Sequence, residues 1–218
     1  MNGYIFDLDG VIVDTAKYHY ASWNRLANTL GFEITLEQNE NLKGVSRMES
    51  LQYILSLGNQ TIADNELIKL AELKNQWYVE MISDLQQSEI LPGAKTLLLE
   101  LRAAGAKVAL GSASKNSERI LSGLEIIHLF DHIIDGNKTT ESKPHPQVFL
   151  MGAEALGLDP ADCIVFEDSI KGVEAANAGG FVSVGVGNAE TLAAADFVLP
   201  DLAGITMAKI DHLIARHC

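Results

Sequence analysis

The sequence predicts an α/β protein, a doubly wound parallel sheet whose first strand is separated from the rest by an all-helical insertion. Three observations support this fold class. A short apolar run over residues 4–8 includes Asp7 and is followed by Asp9. A block of about 65 residues then shows only helical periodicity. After position 93, strand and helix patterns alternate. At 218 residues the chain has room for both parts. We therefore expect an α/β core over 1–13 and 84–218 and a helical cap domain over 14–83.

The helical insertion is predicted from apolar residues at three- and four-residue spacings. The first helix is expected from Thr15 onwards, with the apolar face Tyr18, Trp23, Leu26, Ala27 and Leu30. Gly31 is expected to end it, since glycine commonly stops helices. Further helices are expected over residues 46–57 and 64–81, and no strand signal occurs among them.

The second half of the chain alternates between apolar runs and helical patterns. Strands are expected over residues 107–110, 132–134, 163–166 and 181–186, and helices over 94–104, 117–124, 147–156 and 170–178. Such alternation is typical of a parallel sheet that is covered by helices on both faces. Residues 11–14 and 83–91 are the expected linkers between core and cap.

Composition narrows the class of protein. Hydrophobic residues make up 47% of the chain and charged residues 21%, as in ordinary globular proteins. The net charge of −13 argues against broad binding to nucleic acid or anionic membranes. The only cysteines are Cys163, in an apolar run, and Cys218, so no disulfide framework or cysteine-ligated metal is expected. No basic leader or apolar stretch of about 18 residues is present, and we expect a cytoplasmic protein.

Polar residues follow the apolar strand patterns at four places. Because ligands of open parallel sheets bind beyond the carboxyl ends of the strands, we expect these side chains to meet in one crevice. They are Asp7 with Asp9, Ser112, Lys143, and Glu167 with Asp168. Carboxylates are costly to bury without a partner, so their position indicates a metal and chemistry rather than packing.

This set of side chains suits phosphoryl transfer assisted by Mg²⁺, which prefers oxygen ligands from one or two carboxylates and a substrate phosphate. Asp7 and Asp168 are the natural ligand pair. Asp7 is interpreted as the nucleophile, with Lys143 and the metal neutralising the approach of a phosphate dianion. Asp9 can then remove or deliver the proton of the substrate oxygen. The alternative is a solvated aspartate pair that caps a helix or turn.

Two other functional motifs are excluded by spacing. An EF-hand that began at Asp7 would require glycine where Ile12 stands and glutamate where Tyr18 stands. Gly185 and Gly187 lack the third glycine of a dinucleotide-binding loop, and no Walker-type phosphate loop occurs.

Two short segments have both a functional and a structural interpretation. Lys143 precedes Pro144 just before a helix, where it can bind an anion or simply be a surface lysine. Ser112 starts a run that leads into the next helix, and hydroxyl and backbone N–H groups there can hold phosphoryl oxygens. N-capping by Ser114 or Asn116 would explain part of this run as well.

Taken in order, Asp7-x-Asp9-Gly10, Ser112, Lys143 and Glu167-Asp168 resemble the four motifs of the haloacid dehalogenase superfamily. The resemblance covers the whole core, implies a Rossmann-like sheet, and likens the helical insertion to a C1-type cap. It implies a Mg²⁺ site formed by Asp7, the backbone carbonyl of Asp9, Glu167 and Asp168. Small departures are Gly111 before Ser112, His145 between two prolines, and the loop over 135–141.

Within that superfamily the cap resembles that of the β-phosphoglucomutases. The resemblance rests on Asp14-Thr15-Ala16 with His19, on the run Leu42-Lys43-Gly44-Val45-Ser46-Arg47, and on Lys74-Asn75. It implies that Thr15, His19, Ser112 and Lys143 assist Asp7 and Asp9, and that Arg47 grips the phosphate remote from Asp7. The implied sugar-phosphate contacts are Trp23, Leu42, Gly44, Val45, Ser46, Arg47, Ser50, Lys74, Ala113, Ser114, Lys115 and Asn116. His19 is four residues from Thr15, so it is also expected to approach Asp9 from the cap.

The activity that the resemblance implies is the interconversion of β-glucose 1-phosphate and glucose 6-phosphate through a phosphorylated Asp7. β-Glucose 1,6-bisphosphate would be the intermediate and activator, sugar phosphates the only partners, and the enzyme a monomer whose linkers act as hinges. The main alternative is a sugar-phosphate phosphatase with the same fold. A non-enzymatic binding protein is a more distant one, because such a protein would be expected to lack at least one of the core motif residues.

Overall fold

The structure is a computed structural model that describes residues 2–215. Its central element is a six-stranded sheet with the order β3-β2-β1-β4-β5-β6, in which every neighbouring pair is parallel. The strands are β1 (Gly3–Phe6), β2 (Lys107–Gly111), β3 (His132–Ile134), β4 (Cys163–Glu167), β5 (Val182–Val186) and β6 (Phe197–Leu199). The predicted doubly wound α/β class is confirmed. The chain reverses its direction of growth between β1 and β4, which is where such sheets bind ligands.

Helices cover both faces of this sheet. They are α5 (Ala94–Ala103), α6 (Ser117–Gly123), α7 (Gln147–Leu156), α8 (Ile170–Ala178) and α9 (Met207–Ala215). Residues of β1 alternate between two cores: Tyr4 and Phe6 face the core that contains α5, α6 and α9, while Ile5 faces the one that contains α7 and α8. The fully buried β1 therefore lies at the centre of both cores and holds the residues that follow it in a fixed position.

The insertion after β1 is helical and has an apolar cluster of its own. Its helices are α1 (Ala16–Thr29), α2 (Leu36–Glu40), α3 (Arg47–Leu57) and α4 (Asp64–Ile82). Trp23, Leu26 and Ile54 are among the buried residues of this cluster. Gly31 ends α1 as expected, with a φ of 88°. The helical insertion is thus observed, while the exact cap bounds of 14–83 stay a prediction.

The two linkers lie side by side. Val13 forms isolated β-bridges with Asp9 and with Ile90, and the N–H of Leu91 donates to the carbonyl of Ile12 at 2.9 Å. A 3₁₀ turn, Gln87–Glu89, lies in the second linker. Its Glu89 carboxylate accepts hydrogen bonds from Lys17, at 2.7 Å, and from the hydroxyl of Tyr18. The start of α1 is therefore tied to the linker that returns to the core.

The sequence reasoning differed from the structure at a few elements. The first strand ends at Phe6 rather than at residue 8, because the backbone turns back after Leu8 and its carbonyl accepts from Ile12 and Val13. The short elements α2 and β6 and the last helix α9 were not predicted, since five or fewer residues give little periodicity and α9 follows no motif.

Three smaller features complete the fold. Cys163 is buried, as expected from its apolar run, whereas Cys218 lies outside the described residues. Gly111 is required by packing, because a Cβ there would lie 2.7 Å from the ring of Phe149. Among residues 2–215, no helix combines the length and apolar character that crossing a membrane requires.

Candidate active site

Asp7 and Lys143 form the buried centre of the site. Asp7 directly follows β1, and its N–H donates to the carbonyl of Phe166 at 2.9 Å, which holds it beside the end of β4. Lys143 Nζ lies 2.5 Å from Asp7 Oδ1 and 3.0 Å from Glu167 Oε2. The lysine side chain is only 1% exposed. The structure therefore places Lys143 as a buried cation between two carboxylates and not as a surface lysine.

Burial and the charge of the ion-pair partner act in opposite directions on the pKa of Asp7 and likewise on that of Lys143. Burial, helped by the nearby Glu167, raises the pKa of Asp7 well above its ordinary value, although Lys143 acts in the opposite direction. Burial alone would lower the pKa of Lys143, but its attraction to Asp7 and Glu167 outweighs burial and raises that pKa. Lys143 is thus a permanent positive charge beside Asp7. That is the charge needed where a phosphoryl group approaches an aspartate.

Glu167 is held in place by the turn that starts α8. Its Oε1 accepts hydrogen bonds from the N–H of Ser169 at 3.1 Å and from the hydroxyl of Ser169 at 2.5 Å. Ser169 Oγ in turn accepts from the N–H of Gly172 and caps α8. A Cβ at Gly172 would lie 1.9 Å from the carboxyl carbon of Glu167. Sequence reasoning missed both Ser169 and Gly172, although Ser169 directly follows the predicted motif.

Three carboxylates are close enough to bind one cation. Oxygen atoms of Asp7, Glu167 and Asp168 lie within 4.8 Å of one another. Burial and the charge of Glu167 raise the pKa of Asp168 to about 6. The three carboxylates repel one another and offer only oxygen ligands. Such a site fits a hard divalent cation such as Mg²⁺, which needs no sulfur or imidazole ligand. The backbone carbonyl of Asp9 as a further ligand stays a prediction.

Asp9 lies where the first linker leaves the core. Its carboxylate accepts a hydrogen bond from the hydroxyl of Thr15, at the start of the insertion. Burial and the charge of Asp168 raise the pKa of Asp9 to about 7, against the opposing effect of Lys143. Gly10 adopts a φ of 86°, and a Cβ there would lie 2.1 Å from Asp168 Oδ2. The glycine after the aspartate pair is therefore needed to let the chain pass this carboxylate.

The cap contributes a lysine buried among aromatic rings. Lys74 Nζ lies 3.1 Å from His19 Nδ1, 4.5 Å from the ring centre of Trp23 and 4.7 Å from that of Tyr78. Burial and Arg47 lower the pKa of Lys74, and burial and Lys74 lower that of His19, so the imidazole is neutral. Among the described residues, the imidazole of His19 contacts Lys74 and Tyr78. The sequence had instead suggested that His19 approaches Asp9.

The loop after β2 contains two successive hydrogen bonds from a backbone N–H to a serine hydroxyl two residues earlier. Ser112 Oγ accepts from the N–H of Ser114 at 3.1 Å, and Ser114 Oγ accepts from the N–H of Asn116 at 3.2 Å. Asn116 stands at the N-cap of α6, but its side chain makes no capping bond. It donates instead to Asn75 Oδ1 of the cap, at 3.0 Å. Simple helix capping by Asn116 therefore does not explain this residue.

A cavity of about 450 Å³ lies between the core and the helical insertion. Most of the predicted site residues line it, namely Asp7, Asp9, His19, Trp23, Leu42, Gly44, Val45, Arg47, Ser50, Lys74, Ser112, Ala113, Ser114, Lys115, Asn116 and Asp168. Thr15, Lys143 and Glu167 lie behind this lining and contact it through Asp9 and Asp7. Ser46 is the N-cap of α3 and lines a second cavity, which Arg47, Lys115 and Lys143 also line.

Sequence reasoning assigned no role to several other residues that line the main cavity. From the cap these include Asn39, Glu40, Lys43, Asn75 and Tyr78, and from the core Gly187, Asn188, Pro200 and Asp201. Gly187 and Asn188 follow β5, so the rule on the carboxyl ends of strands could have identified them. The cap residues had no such rule, because helix packing decides which of their faces meets the core.

Comparison with known proteins agrees with this geometry. A family model of haloacid dehalogenase-like hydrolases matches residues 4–186. The β-phosphoglucomutase of Bacillus subtilis is 39% identical over 209 residues, which cover 95% of this chain and 92% of that protein. The fructose-1-phosphate phosphatase YqaB of Escherichia coli is 32% identical, over 84% of this chain and 95% of that protein.

A solved structure resembles the whole chain. The crystal structure of β-phosphoglucomutase from Clostridium difficile superimposes with a TM-score of 0.96 at 42% sequence identity, and the match covers 100% of this chain and 98% of that one. The similarity therefore includes the helical insertion as well as the sheet. The chain belongs to the haloacid dehalogenase-like hydrolase family.

Proposed function

We propose that this protein interconverts β-D-glucose 1-phosphate and glucose 6-phosphate through a phosphorylated Asp7. The observation that carries the proposal is a single cavity in which the carboxylate cluster of the core meets the guanidinium of Arg47 from the cap. A monophosphate needs only the core cluster, whereas a sugar bisphosphate needs a second cationic region. The similarity to two β-phosphoglucomutases over nearly the whole chain supports the same substrate class.

In the first half of the proposed reaction, a sugar hydroxyl attacks the phosphoryl group on Asp7. The bond from phosphorus to the Asp7 oxygen breaks, a bond from phosphorus to the sugar oxygen forms, and Asp9 takes the hydroxyl proton. In the second half, Asp7 attacks the other phosphate of the bisphosphate and Asp9 returns a proton to the leaving sugar oxygen. A pKa of about 7 for Asp9 suits both halves, because each protonation state is accessible near neutral pH.

The remaining residues have positioning roles in this scheme. Lys143 neutralises Asp7 and the approaching phosphoryl group. Thr15 orients the Asp9 carboxylate. Arg47 offers a guanidinium for the phosphate that is not being transferred. Asp7, Glu167 and Asp168 would hold Mg²⁺, which when bound supplies a Lewis acid that neutralises charge on the phosphoryl oxygens.

The second candidate is a phosphatase for a small sugar phosphate. It is favoured by the similarity to the Escherichia coli fructose-1-phosphate phosphatase. Both activities use Asp7 and Asp9 in the same way and differ in whether water or a second sugar hydroxyl accepts the phosphoryl group. A cytoplasmic location and a monomeric state remain predictions for either enzyme.

The deciding experiment supplies the protein with Mg²⁺, β-glucose 1-phosphate and a trace of β-glucose 1,6-bisphosphate, and measures glucose 6-phosphate and inorganic phosphate together. A mutase forms glucose 6-phosphate with little phosphate. Formation of phosphate alone would contradict the mutase proposal and favour the phosphatase. Asp7→Asn must abolish either product, since it removes the nucleophile.

A variant of the cap separates the two functions further. Arg47→Ala should reduce mutase turnover by about a hundredfold, as expected when a charged phosphate contact is lost, and should spare hydrolysis of p-nitrophenyl phosphate. Arg119→Ala is the matched control, because Arg119 is an exposed arginine of α6 in the core. Equal losses of both activities in Arg47→Ala would argue against a role for Arg47 at the remote phosphate.

A further inference from the structure

One cap residue without an assigned role contacts the carboxylate cluster directly. Lys43 Nζ lies 3.0 Å from Asp168 Oδ2 and 3.0 Å from Glu40 Oε2. The side chain of Asp168 is 9% exposed and that of Lys43 is 32% exposed. The pair therefore spans the boundary between cap and core, at one of the carboxylates that would bind the cation.

The backbone around Lys43 also packs closely against the core. The N–H of Lys43 donates to the carbonyl of Glu40 at 3.2 Å, in the turns that follow α2. Gly44 has a φ of 74°, and a Cβ at this position would lie 2.9 Å from Ser169 Oγ and 3.5 Å from Lys143 Cδ. The loop is thus packed against the residues that orient Glu167. The cap therefore contacts Asp168 through Lys43, and through Gly44 it packs against Ser169, the hydrogen-bond partner of Glu167.

The ammonium of Lys43 is charged in this position. Its side chain is partly exposed and lies 3.0 Å from each of two carboxylates, so it keeps the positive charge that a lysine ordinarily carries. A cation bound to Asp168 and a permanently charged ammonium at 3.0 Å from the same carboxylate repel each other. Each therefore weakens the hold of the other on Asp168.

We propose that Lys43 is a positioning residue that couples the cap to the metal site by competing with Mg²⁺ for Asp168. Contact of the cap through Lys43 weakens Mg²⁺ binding, and by thermodynamic reciprocity Mg²⁺ weakens this contact and favours an open cap. The inference rests on the metal site of the proposed function but not on its substrate. Such a bias toward opening would help a bisphosphate to turn around between the two halves of a mutase reaction.

The test measures Mg²⁺ affinity by isothermal titration calorimetry, and cap opening by small-angle X-ray scattering, in the full-length protein without sugar. Lys43→Met should bind Mg²⁺ about tenfold more tightly than wild type, which corresponds to about 1.4 kcal/mol. Lys43→Arg keeps the charge and should stay within about threefold of wild type. Lys69→Met removes an exposed lysine from α4 of the same cap and should leave the affinity unchanged.

Scattering provides a second measurement that does not depend on activity. Mg²⁺ should increase the radius of gyration of wild type and of Lys69→Met, whereas Lys43→Met should have the same radius with and without Mg²⁺. Unchanged or weaker Mg²⁺ binding in Lys43→Met, or a Mg²⁺ response of its radius equal to that of wild type, would overturn the coupling. A wild-type protein that binds no Mg²⁺ would overturn both the coupling and the metal site, while a finding of phosphatase in place of mutase activity would leave the coupling intact.

Discussion

Replacing Lys143 by methionine tests the centre of the site. Methionine has a similar length and no charge, so the variant keeps most of the packing but removes both ion pairs, at 2.5 Å to Asp7 and 3.0 Å to Glu167. Both carboxylates remain buried, at 6% and 1% exposure. The variant therefore creates two buried acidic groups without their cation, rather than simply deleting a favourable contact.

The magnitude follows from that imbalance. Removing one partner of a buried ion pair costs about 3–5 kcal/mol, because the other charge is left uncompensated. At about 2–4 °C per kcal/mol for a chain of this size, Tm should fall by about 6–20 °C at pH 8. Phosphoryl transfer should be lost altogether, since nothing else among the described residues contacts Asp7 with a positive charge.

The pH dependence of this loss has a definite sign. The pKa of Asp7 is raised well above its ordinary value, mainly by burial, and Lys143 opposes this rise. In the variant the pKa of Asp7 should therefore be higher still. A carboxyl group with a raised pKa in the folded state favours folding when it is protonated, and that contribution is lost as pH rises through the folded-state pKa. The difference in Tm between wild type and Lys143→Met should thus be smaller at pH 5 than at pH 8.

Thermal unfolding followed by circular dichroism measures this directly. Lys138→Met is the matched control, since Lys138 is 45% exposed and its carboxylate partner Glu118 is 3.7 Å away. Surface ion pairs of this kind contribute about 0–1 kcal/mol, so Tm should change by at most about 4 °C. If Lys143→Met melted within 2 °C of wild type at pH 8, or lost as much at pH 5 as at pH 8, the buried-cation argument would be refuted.

Three further predictions concern residues that support the site. Thr15→Val removes the hydroxyl that donates to Asp9 and should lower kcat by about tenfold or more, with Thr15→Ser restoring it, in the steady-state mutase assay. Gly172→Ala should push Glu167 aside and lower Mg²⁺ affinity in calorimetry, whereas Gly123→Ala, whose Cβ would meet nothing within 4 Å, should raise stability by up to about 1 kcal/mol in urea unfolding. Glu89→Gln should lower Tm by about 2–4 °C at pH 7. Because the hydrogen bonds from Lys17 and Tyr18 keep the pKa of Glu89 low despite some burial, this difference should shrink as pH falls below about 4 and be lost once pH is below that lowered pKa. Unchanged kcat in the first variant, unchanged Mg²⁺ affinity in the second or a difference independent of pH in the third would contradict the respective assignment.

The core residues were predictable because one rule fixes their position. Asp7, Ser112 and Asp168 each stand within two residues of the end of a strand, and all strands of the sheet are parallel. Once the strands were recognised from apolar runs, their ends had to meet at one edge. The rule did not give the partners of each side chain. That Glu167 bonds Ser169 follows from the turn before α8, which strand and helix periodicity do not specify.

The cap residues were less predictable for a physical reason. Periodicity indicates which face of a helix is buried but not whether its neighbour is another helix or the core. Lys74 illustrates this, since a lysine in a helix is ordinarily exposed, yet here it is 3% exposed among His19, Trp23 and Tyr78. Only the resemblance to a known family singled it out. Lys43 belongs to the run over residues 42–47 on which that resemblance rests, yet the sequence offered no reason to assign it a role, because its partner Asp168 is in the other domain.

Three glycines connect the folding of this site to its chemistry. Gly10, Gly44 and Gly172 each lie where a Cβ would come within 2.1, 2.9 and 1.9 Å of Asp168, Ser169 and Glu167, respectively. The backbone therefore packs directly against part of the carboxylate cluster, while Asp7, Asp9 and Asp168 also line the cavity of about 450 Å³. Burial and the charge of Asp168 raise the pKa of Asp9 to about 7, a value that suits a group that both accepts and donates a proton.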